Sequence, residues 1–261
     1  MTTYLVLPRK LGVVVTVEIR VAFPSRMRAK CVQVCLAKST PICDHAPRGN
    51  VNNSPTDSHY KHPRQITRAE FDIVAISASA GGIKAITEIV ATLPAELSAS
   101  LVFLLHLDPN QPSMIADILR RHTALQVKQA EAGDYLYPRT LHIAPPNHHL
   151  LVNPDGALSL TQSEFVNFVR PSADLLFKSV AASYKQRALA VVLTGTGSDG
   201  IAGIKTIKKM GGTIIAQNGE TADFSSMPNG AIQTGAVDFV LPLAEIAPKI
   251  VALVATPSTE R

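Results

Sequence analysis

The sequence has little of what marks several large classes of protein. It contains no tryptophan, and aromatic residues make up only 5% of its 261 residues. No apolar run approaches the roughly 20 residues that a membrane-spanning helix needs. The apolar residues 11–17 are followed at once by Glu18 and Arg20, which makes a poor signal peptide. We therefore expect a cytoplasmic protein without membrane insertion.

Cysteine is scarce and confined to one end of the chain. The three cysteines are Cys31, Cys35 and Cys43, with His45 close by. Their spacing matches no zinc-ligand pattern, which favours unpaired thiols over a metal site. A cysteine nucleophile is therefore excluded from the rest of the chain.

Excess charge is confined to the same end. Residues 1–70 hold 11 basic and four acidic residues, whereas the remainder holds 14 basic and 16 acidic residues. The remainder has no interleaving of arginine with aromatic residues, so we expect no nucleic-acid partner. Residues 39–66 are rich in Ser, Thr, Pro, Asn and His and lack apolar periodicity. We predict that residues 1–68 form a basic, disordered extension.

From residue 69 onward the pattern changes to alternating strands and helices. Continuous apolar runs at residues 73–76, 101–105 and 188–193 predict strands that are buried on both faces of a sheet. Apolar residues at helical spacing follow each of these runs. This alternation is typical of an α/β fold.

A different pattern interrupts the alternation. Residues 150–152 and 157–160 flank an Asn-Pro-Asp-Gly turn, which predicts an antiparallel hairpin. We therefore predict a doubly wound three-layer α/β sandwich over residues 69–256, followed by a tail at 257–261. Its sheet is expected to be mostly parallel, with the antiparallel hairpin extending one edge.

Residues 71–93 pass from a strand through small residues into a helix, and Ser79 lies in the turn. Such a turn can present a serine at the top of a sheet, as the nucleophile elbow of hydrolases does. A plain strand-to-helix turn is the alternative, in which Ser79 caps the helix or binds a phosphate.

Polar residues follow three of the apolar strands directly: Ser79, His106 and Asp199. Because ligands of parallel sheets bind beyond the carboxyl ends of the strands, these residues should share one rim. A serine needs a base to become a good nucleophile, and histidine titrates near working pH. A buried carboxylate can then orient the imidazole. The coincidence favours a catalytic triad.

Each residue also has a simpler interpretation. His106 could be an ordinary histidine at a strand end, and Asp199 could cap the helix predicted at residues 201–210. The glycine-rich residues 195–200 could bind a phosphate. They lack the Lys-Ser/Thr ending of a P-loop, so nucleotide binding is the weaker hypothesis.

Eight ordered stretches resemble the catalytic domain of the chemotaxis protein-glutamate methylesterases, the CheB family. They are ISASAGG at 76–82, LH at 105–106, LHIAPPN at 141–147, RPSADLLF at 170–177, LTGTGSDG at 193–200, GGTIIAQ at 211–217, MPNGAI at 227–232 and TGAVDFVLPL at 234–243. The resemblance covers about residues 70–255.

The resemblance implies a serine hydrolase that needs no metal or cofactor. Ser79 is then the nucleophile, His106 the general base and later the acid, and Asp199 its orienting carboxylate. The backbone N–H groups of Ala80 and Thr196 are the candidates for the oxyanion hole. The expected substrate is a methyl-accepting chemoreceptor or another methyl-esterified protein, with a receptor methyltransferase as functional counterpart. Deamidation of receptor glutamines is a further activity that the family implies.

Three positions depart from the family pattern. Ser77 replaces a glycine, Ala80 replaces a threonine, and Thr196 replaces the methionine of Gly-Met-Gly. A serine at position 77 would be strained if the turn needed a positive φ there. These departures motivate a second hypothesis, a catalytically impaired binding or scaffold module. Residues 1–68 are also too short for the receiver domain of most members, so control by phosphorylation in cis is not expected.

Overall fold

The computed structural model describes residues 2–5, 17–20, 72–106 and 113–255. In the unit Met1–Tyr60, strands β1 (Thr2–Leu5) and β2 (Val17–Arg20) pair antiparallel. The rest of the predicted extension, its three cysteines with His45, and the tail at 257–261 lie outside the described residues. What the sequence predicts for them stays a prediction.

The unit Lys61–Arg261 contains a seven-stranded sheet in which every neighbouring pair is parallel. Its strands are β3 (Asp72–Ala78), β4 (Ala99–Leu105), β5 (Gln126–Gln129), β6 (Thr140–Ile143), β9 (Ala188–Val192), β10 (Thr213–Gln217) and β11 (Phe239–Leu241). The helices are α1 (Gly82–Thr92), α2 (Ile115–Arg120), α3 (Ala173–Tyr184), α4 (Ile201–Lys209), α5 (Ser226–Gln233) and α6 (Leu243–Ala255), and a 3₁₀ turn follows α3 at Lys185–Arg187.

Two hydrophobic cores lie on opposite faces of the sheet. Successive side chains of a strand point to opposite faces. In β3, Val74 and Ile76 therefore enter one core, while Ile73 and Ala75 enter the other. Helices α1, α2 and α6 pack into the first core and α3, α4 and α5 into the second. The predicted three-layer, doubly wound arrangement is confirmed.

The hairpin is confirmed, but its position differs from the prediction. Strands β7 (His149–Val152) and β8 (Leu158–Thr161) pair antiparallel as a separate sheet and do not extend an edge of the main one. The backbone N–H of Val152 donates to Ser179 Oγ at 3.0 Å, and Ser183 Oγ donates to the Val152 carbonyl at 2.8 Å. Side chains of α3 thus satisfy backbone groups that a sheet edge would otherwise pair.

Strand β3 lies at the point where the order of the strands in the sheet reverses. The order is β11-β10-β9-β3-β4-β6-β5, so β3 lies between β4 and β9. The chain builds one side of the sheet from β4 to β6 and then returns to build the other side from β9. Open parallel sheets bind ligands at such a switch point, beyond the carboxyl ends of the strands.

The sequence predicts no membrane insertion. None of the helices in the described ranges is both long and apolar enough to cross a bilayer. The cytoplasmic location stays a prediction.

Helices α3 and α4 approach each other closely at Gly203. A Cβ at this position would lie 2.6 Å from Phe177 Cβ and 3.1 Å from the backbone of Asp174. We expect Gly203→Ala to lower the free energy of unfolding by about 1–3 kcal/mol, because overpacking outweighs the helix propensity of alanine. Urea unfolding measures this change.

Gly230→Ala in α5 is the matched control. The added Cβ would meet only the side chain of Ile201, at 3.2 Å or more. Its free energy of unfolding should stay close to that of the wild type. If both variants unfolded like the wild type, the close approach of α3 and α4 would be contradicted.

Candidate active site

The turn between β3 and α1 presents Ser79. Gly81 adopts a positive φ of 77° and is the N-cap of α1. A Cβ on Gly82 would lie 2.5 Å from Ala78 Cβ, so this close turn requires glycine. The N–H of Ser79 donates to the Thr194 carbonyl at 3.0 Å, which joins the turn to the end of β9. Ser79 is half-buried at the rim of the sheet.

Strand register brings His106 next to this turn. Ala78 is paired with Leu105, and the N–H of His106 donates to the Ala78 carbonyl at 3.3 Å. Ser79 and His106 line the same cavity of about 240 Å³. Within the part of the chain that the structure describes, no hydrogen bond joins the Ser79 hydroxyl to the imidazole. Catalytic hydrogen bonds are often loose without substrate and tighten when it binds.

The imidazole of His106 is bonded to Asp199. Its Nε2 lies 2.9 Å from Asp199 Oδ2, and the two side chains are 14% and 4% exposed. Residues from the ends of β4 and β9, 93 positions apart in the chain, thus form a buried pair.

The Asp199 carboxylate is held by the N-terminus of α3. Oδ1 accepts hydrogen bonds from Ser172 Oγ at 2.8 Å and from the Asp174 N–H at 3.2 Å. Oδ2 accepts one from the Ala173 N–H at 2.5 Å. The alternative that Asp199 caps α4 is therefore wrong, because its carboxylate caps α3.

This environment fixes the protonation of the pair. Burial alone would raise the pKa of Asp199, but hydrogen bonds from His106, the Ala173 N–H and Ser172 hold that pKa below its ordinary value. The ionised carboxylate can only accept, so Nε2 of His106 carries the proton. Nδ1 is then the nitrogen with a lone pair, which a general base needs.

A second layer of hydrogen bonds holds the N-terminus of α3. His149, fully buried in β7, accepts the Ser172 N–H at Nδ1 over 3.1 Å and donates from Nε2 to the Glu164 carbonyl. Asp174 in turn accepts the Gly203 N–H at Oδ1 over 2.7 Å. Each of α3 and α4 is thus capped by a carboxylate that belongs to the other helix or to the loop before it.

The predicted oxyanion donors lie on the two loops that meet at Ser79. A Cβ on Gly195 would lie 2.8 Å from Ser79 Cβ, so the residue before Thr196 lies against Ser79. Gly195 donates its own N–H to the Phe224 carbonyl. Among the described residues, the N–H groups of Ala80 and Thr196 have no protein acceptor, which keeps both available as candidates.

Thr194 and Gln217 join these loops, and sequence reasoning missed both. Thr194 Oγ1 donates to the Ala80 carbonyl at 3.0 Å and accepts from the Phe224 N–H at 2.9 Å. The Thr194 N–H donates to the buried side-chain carbonyl of Gln217 at 2.8 Å. No spacing in the sequence indicates these contacts, because they join the ends of separate strands.

Ser77 does not strain the turn. It lies within β3, whereas the positive φ belongs to Gly81. Its side chain is fully buried, and its hydroxyl has no hydrogen-bond partner among the described residues. The serine therefore occupies a strand position, and Ser79 keeps its place in the turn.

Comparison with known proteins agrees with this geometry. Residues 74–250 match the family model of the CheB methylesterase domain. The chain belongs to the CheB methylesterase family. The crystal structure of the Thermotoga maritima CheB methylesterase catalytic domain superimposes with a TM-score of 0.69 at 35% identity. The match covers 71% of this chain and 100% of that one.

Relatives differ in how much of their length this chain spans. A Leptospira interrogans protein, provisionally named a protein-glutamate methylesterase/protein-glutamine glutaminase, is 36% identical over 70% of this chain and 95% of its own length. A Moorella thermoacetica protein with the same pair of activities in its name is 39% identical over 72% of this chain but only 45% of its own. Myxococcus xanthus protein-glutamate methylesterase FrzG is 38% identical over 67% of this chain and 53% of its own length.

Ser172 is a positioning residue that can be tested directly. Ser172→Ala removes a hydrogen bond to an ionised carboxylate, worth about 1.5–3 kcal/mol. We expect kcat for a small activated ester such as p-nitrophenyl acetate to fall about 10- to 100-fold, with KM unchanged. Ser183→Ala, which removes a buried hydroxyl from the same helix, should leave kcat unchanged. Equal kcat values in both variants would contradict the role of Ser172.

The lowered pKa of Asp199 predicts an acid-dependent contribution to stability. Because the folded-state pKa lies below the unfolded value of about 3.9, this contribution is fully present above that value. It is lost as pH falls through the folded-state pKa. Urea unfolding from pH 6 to pH 3 should therefore show the difference between wild type and Asp199→Asn shrinking in acid. A difference independent of pH would contradict the shift.

Proposed function

We propose that the protein is a serine hydrolase that removes methyl groups from glutamate methyl esters in proteins. The observation that carries the proposal is the His106–Asp199 pair, buried and hydrogen-bonded at 2.9 Å, beside the cavity that Ser79 also lines. The family match and the names of the relatives support the same chemistry.

The acylation step follows from the protonation of the pair. Ser79 Oγ attacks the ester carbonyl carbon while its proton passes to Nδ1 of His106. Asp199, bonded to Nε2, stabilises the imidazolium that forms. The carbonyl oxygen becomes an oxyanion, which in this proposal accepts hydrogen bonds from the N–H groups of Ala80 and Thr196. One such donor contributes about 3 kcal/mol.

Collapse of the tetrahedral intermediate breaks the bond to the methoxy oxygen. The imidazolium of His106 gives its proton to this oxygen, and methanol leaves. Water then attacks the acyl group on Ser79, and His106 takes its proton at Nδ1. Returning this proton to Ser79 Oγ releases the glutamate carboxylate and restores the enzyme. A glutamine amide would follow the same route with ammonia as the leaving group.

The substrate class is a methylated chemoreceptor or another methyl-esterified protein. The names of the relatives support both the methylesterase and the glutaminase activity. The methyl ester must first be formed by a receptor methyltransferase. Such an enzyme is therefore the functional counterpart of this hydrolase. The alternative of an impaired scaffold module loses much of its motivation, because Ser77 lies in a strand without positive φ.

A serine pair two residues apart gives a matched test. We expect Ser79→Ala to reduce methanol release from a purified, methylated chemoreceptor fragment by roughly 10³-fold or more. Ser77→Ala removes only a buried hydroxyl without a partner in the described residues, so it should retain wild-type activity. Release is followed with a radiolabelled methyl group.

A fluorophosphonate probe separates the two hypotheses. Wild type and Ser77→Ala should be labelled at Ser79, while Ser79→Ala and His106→Ala should not. Equal methanol release by wild type and Ser79→Ala would reject the proposed nucleophile. A wild type that neither labels nor releases methanol would favour the scaffold module.

A further inference from the structure

Phe168 is the most exposed large hydrophobic side chain in the described part of the chain. It is 98% exposed. It stands at the tip of a two-residue turn, closed by hydrogen bonds in both directions between Val166 and Val169. Both turn residues have positive φ, 50° at Asn167 and 64° at Phe168. This type of turn strongly favours glycine at the second position.

A phenylalanine here carries two disadvantages at once. A bulky residue in the left-handed region is strained, and its ring gains almost no burial. Both disadvantages would disappear with glycine. An outlier of this kind, on a surface beside a candidate site, indicates a role outside the folded chain.

Side-chain contacts hold the turn and its base in place. Asn167 Nδ2 donates to Asp174 Oδ2 at 3.2 Å. At its base, Arg170 Nε donates to Asn147 Oδ1 at 2.9 Å, and the guanidinium stacks over the Phe165 ring at 4.3 Å. The backbone that carries Phe168 is therefore held in one conformation, so binding of a partner would need to order only the ring.

Asp174 also connects the turn to the candidate active site. Asp174, which holds Asn167, also donates its N–H to the Asp199 carboxylate at 3.2 Å. One residue of α3 thus contacts both the turn and the partner of His106. Because α3 begins at the carboxyl edge of the sheet, where Asp199 caps it, the turn lies toward the same edge.

The cavity is too small to recognise a protein. Its volume is about 240 Å³, below the roughly 300–1,000 Å³ of sites that enclose a whole small ligand. It can receive the end of a glutamyl ester side chain, while the protein that carries the ester must lie on the surrounding surface. Remote contacts must then supply the binding energy.

We infer that Phe168 is a docking residue for the protein substrate. Its ring inserts between apolar side chains of the segment that flanks the methyl-esterified glutamate. The inference rests on the proposed function, which requires a protein surface to approach this rim. Aromatic side chains are enriched in the buried centres of protein interfaces, where single residues carry much of the affinity.

Phe168→Gly gives the sharpest test, because glycine suits the turn. We expect its thermal stability to equal or exceed that of the wild type. For a methylated chemoreceptor fragment, kcat/KM should fall roughly 10- to 100-fold through KM. Hydrolysis of p-nitrophenyl acetate and fluorophosphonate labelling should stay unchanged. Phe168→Tyr should retain most of the wild-type kcat/KM.

Tyr137→Ala is the control for loss of an exposed ring. Tyr137 is 57% exposed and precedes β6, so it lies at the amino edge of the sheet, away from the site. This variant should hydrolyse the receptor fragment like the wild type. An equal loss in Tyr137→Ala and Phe168→Gly, or no loss in Phe168→Gly, would overturn the inference.

Binding is measured separately from turnover. In a Ser79→Ala background, adding Phe168→Gly should weaken binding of the receptor fragment in calorimetry by the same factor. If the wild type turns over the fragment and Phe168→Gly does so equally well, only the docking role fails. If the wild type labels with the probe but neither binds nor hydrolyses the fragment, the proposed substrate fails as well. A change of oligomeric state in Phe168→Gly would assign the ring to a contact between copies of this chain and overturn the inference.

Discussion

The arrangement of the site depends on one buried carboxylate. Asp199 accepts two N–H groups from the start of α3, the Ser172 hydroxyl and the His106 imidazole. Because a helix N-terminus favours a negative charge, the backbone supplies part of the stabilisation that an isolated buried carboxylate lacks. The same contacts that cap α3 therefore keep the carboxylate that contacts His106 ionised.

The sequence predicted those parts of the fold that local patterns determine. Long apolar runs identified β3, β4 and β9, since strands buried on both faces need them. Strands β5 and β6 were not predicted, because Gln126–Gln129 is mostly polar and β6 has only four residues, including a histidine. The hairpin was recognised, but its attachment to α3 depends on serine hydroxyls whose partners no local pattern reveals.

The candidate site likewise contains residues that local sequence patterns indicate and residues that only tertiary contacts identify. Ser79 and His106 could be selected because each directly follows an apolar strand, and Asp199 because it lies in the loop after β9. Parallel strands end at one rim. Ser172, Thr194 and Gln217 could not, because their roles come from contacts between elements far apart in the chain. Ser172 occupies the N-cap position of α3, yet its hydroxyl bonds to Asp199 and not to the backbone of its own helix. The tertiary structure thus decides the partner of this hydroxyl.

The side chains around the cavity differ from those that could contact a protein substrate. The candidate catalytic side chains are held by buried hydrogen bonds beside a small cavity, whereas the proposed substrate, a protein, has a large surface. A rigid site is positioned by hydrogen bonds among its own side chains. Groups that are already hydrogen-bonded to each other have few donors and acceptors left to bind a macromolecule. Contacts with a protein then depend on side chains that the fold leaves exposed. Phe168 is such a side chain: its ring is exposed, its backbone has a positive φ, and its turn is bonded through Asn167 to Asp174, which also contacts Asp199.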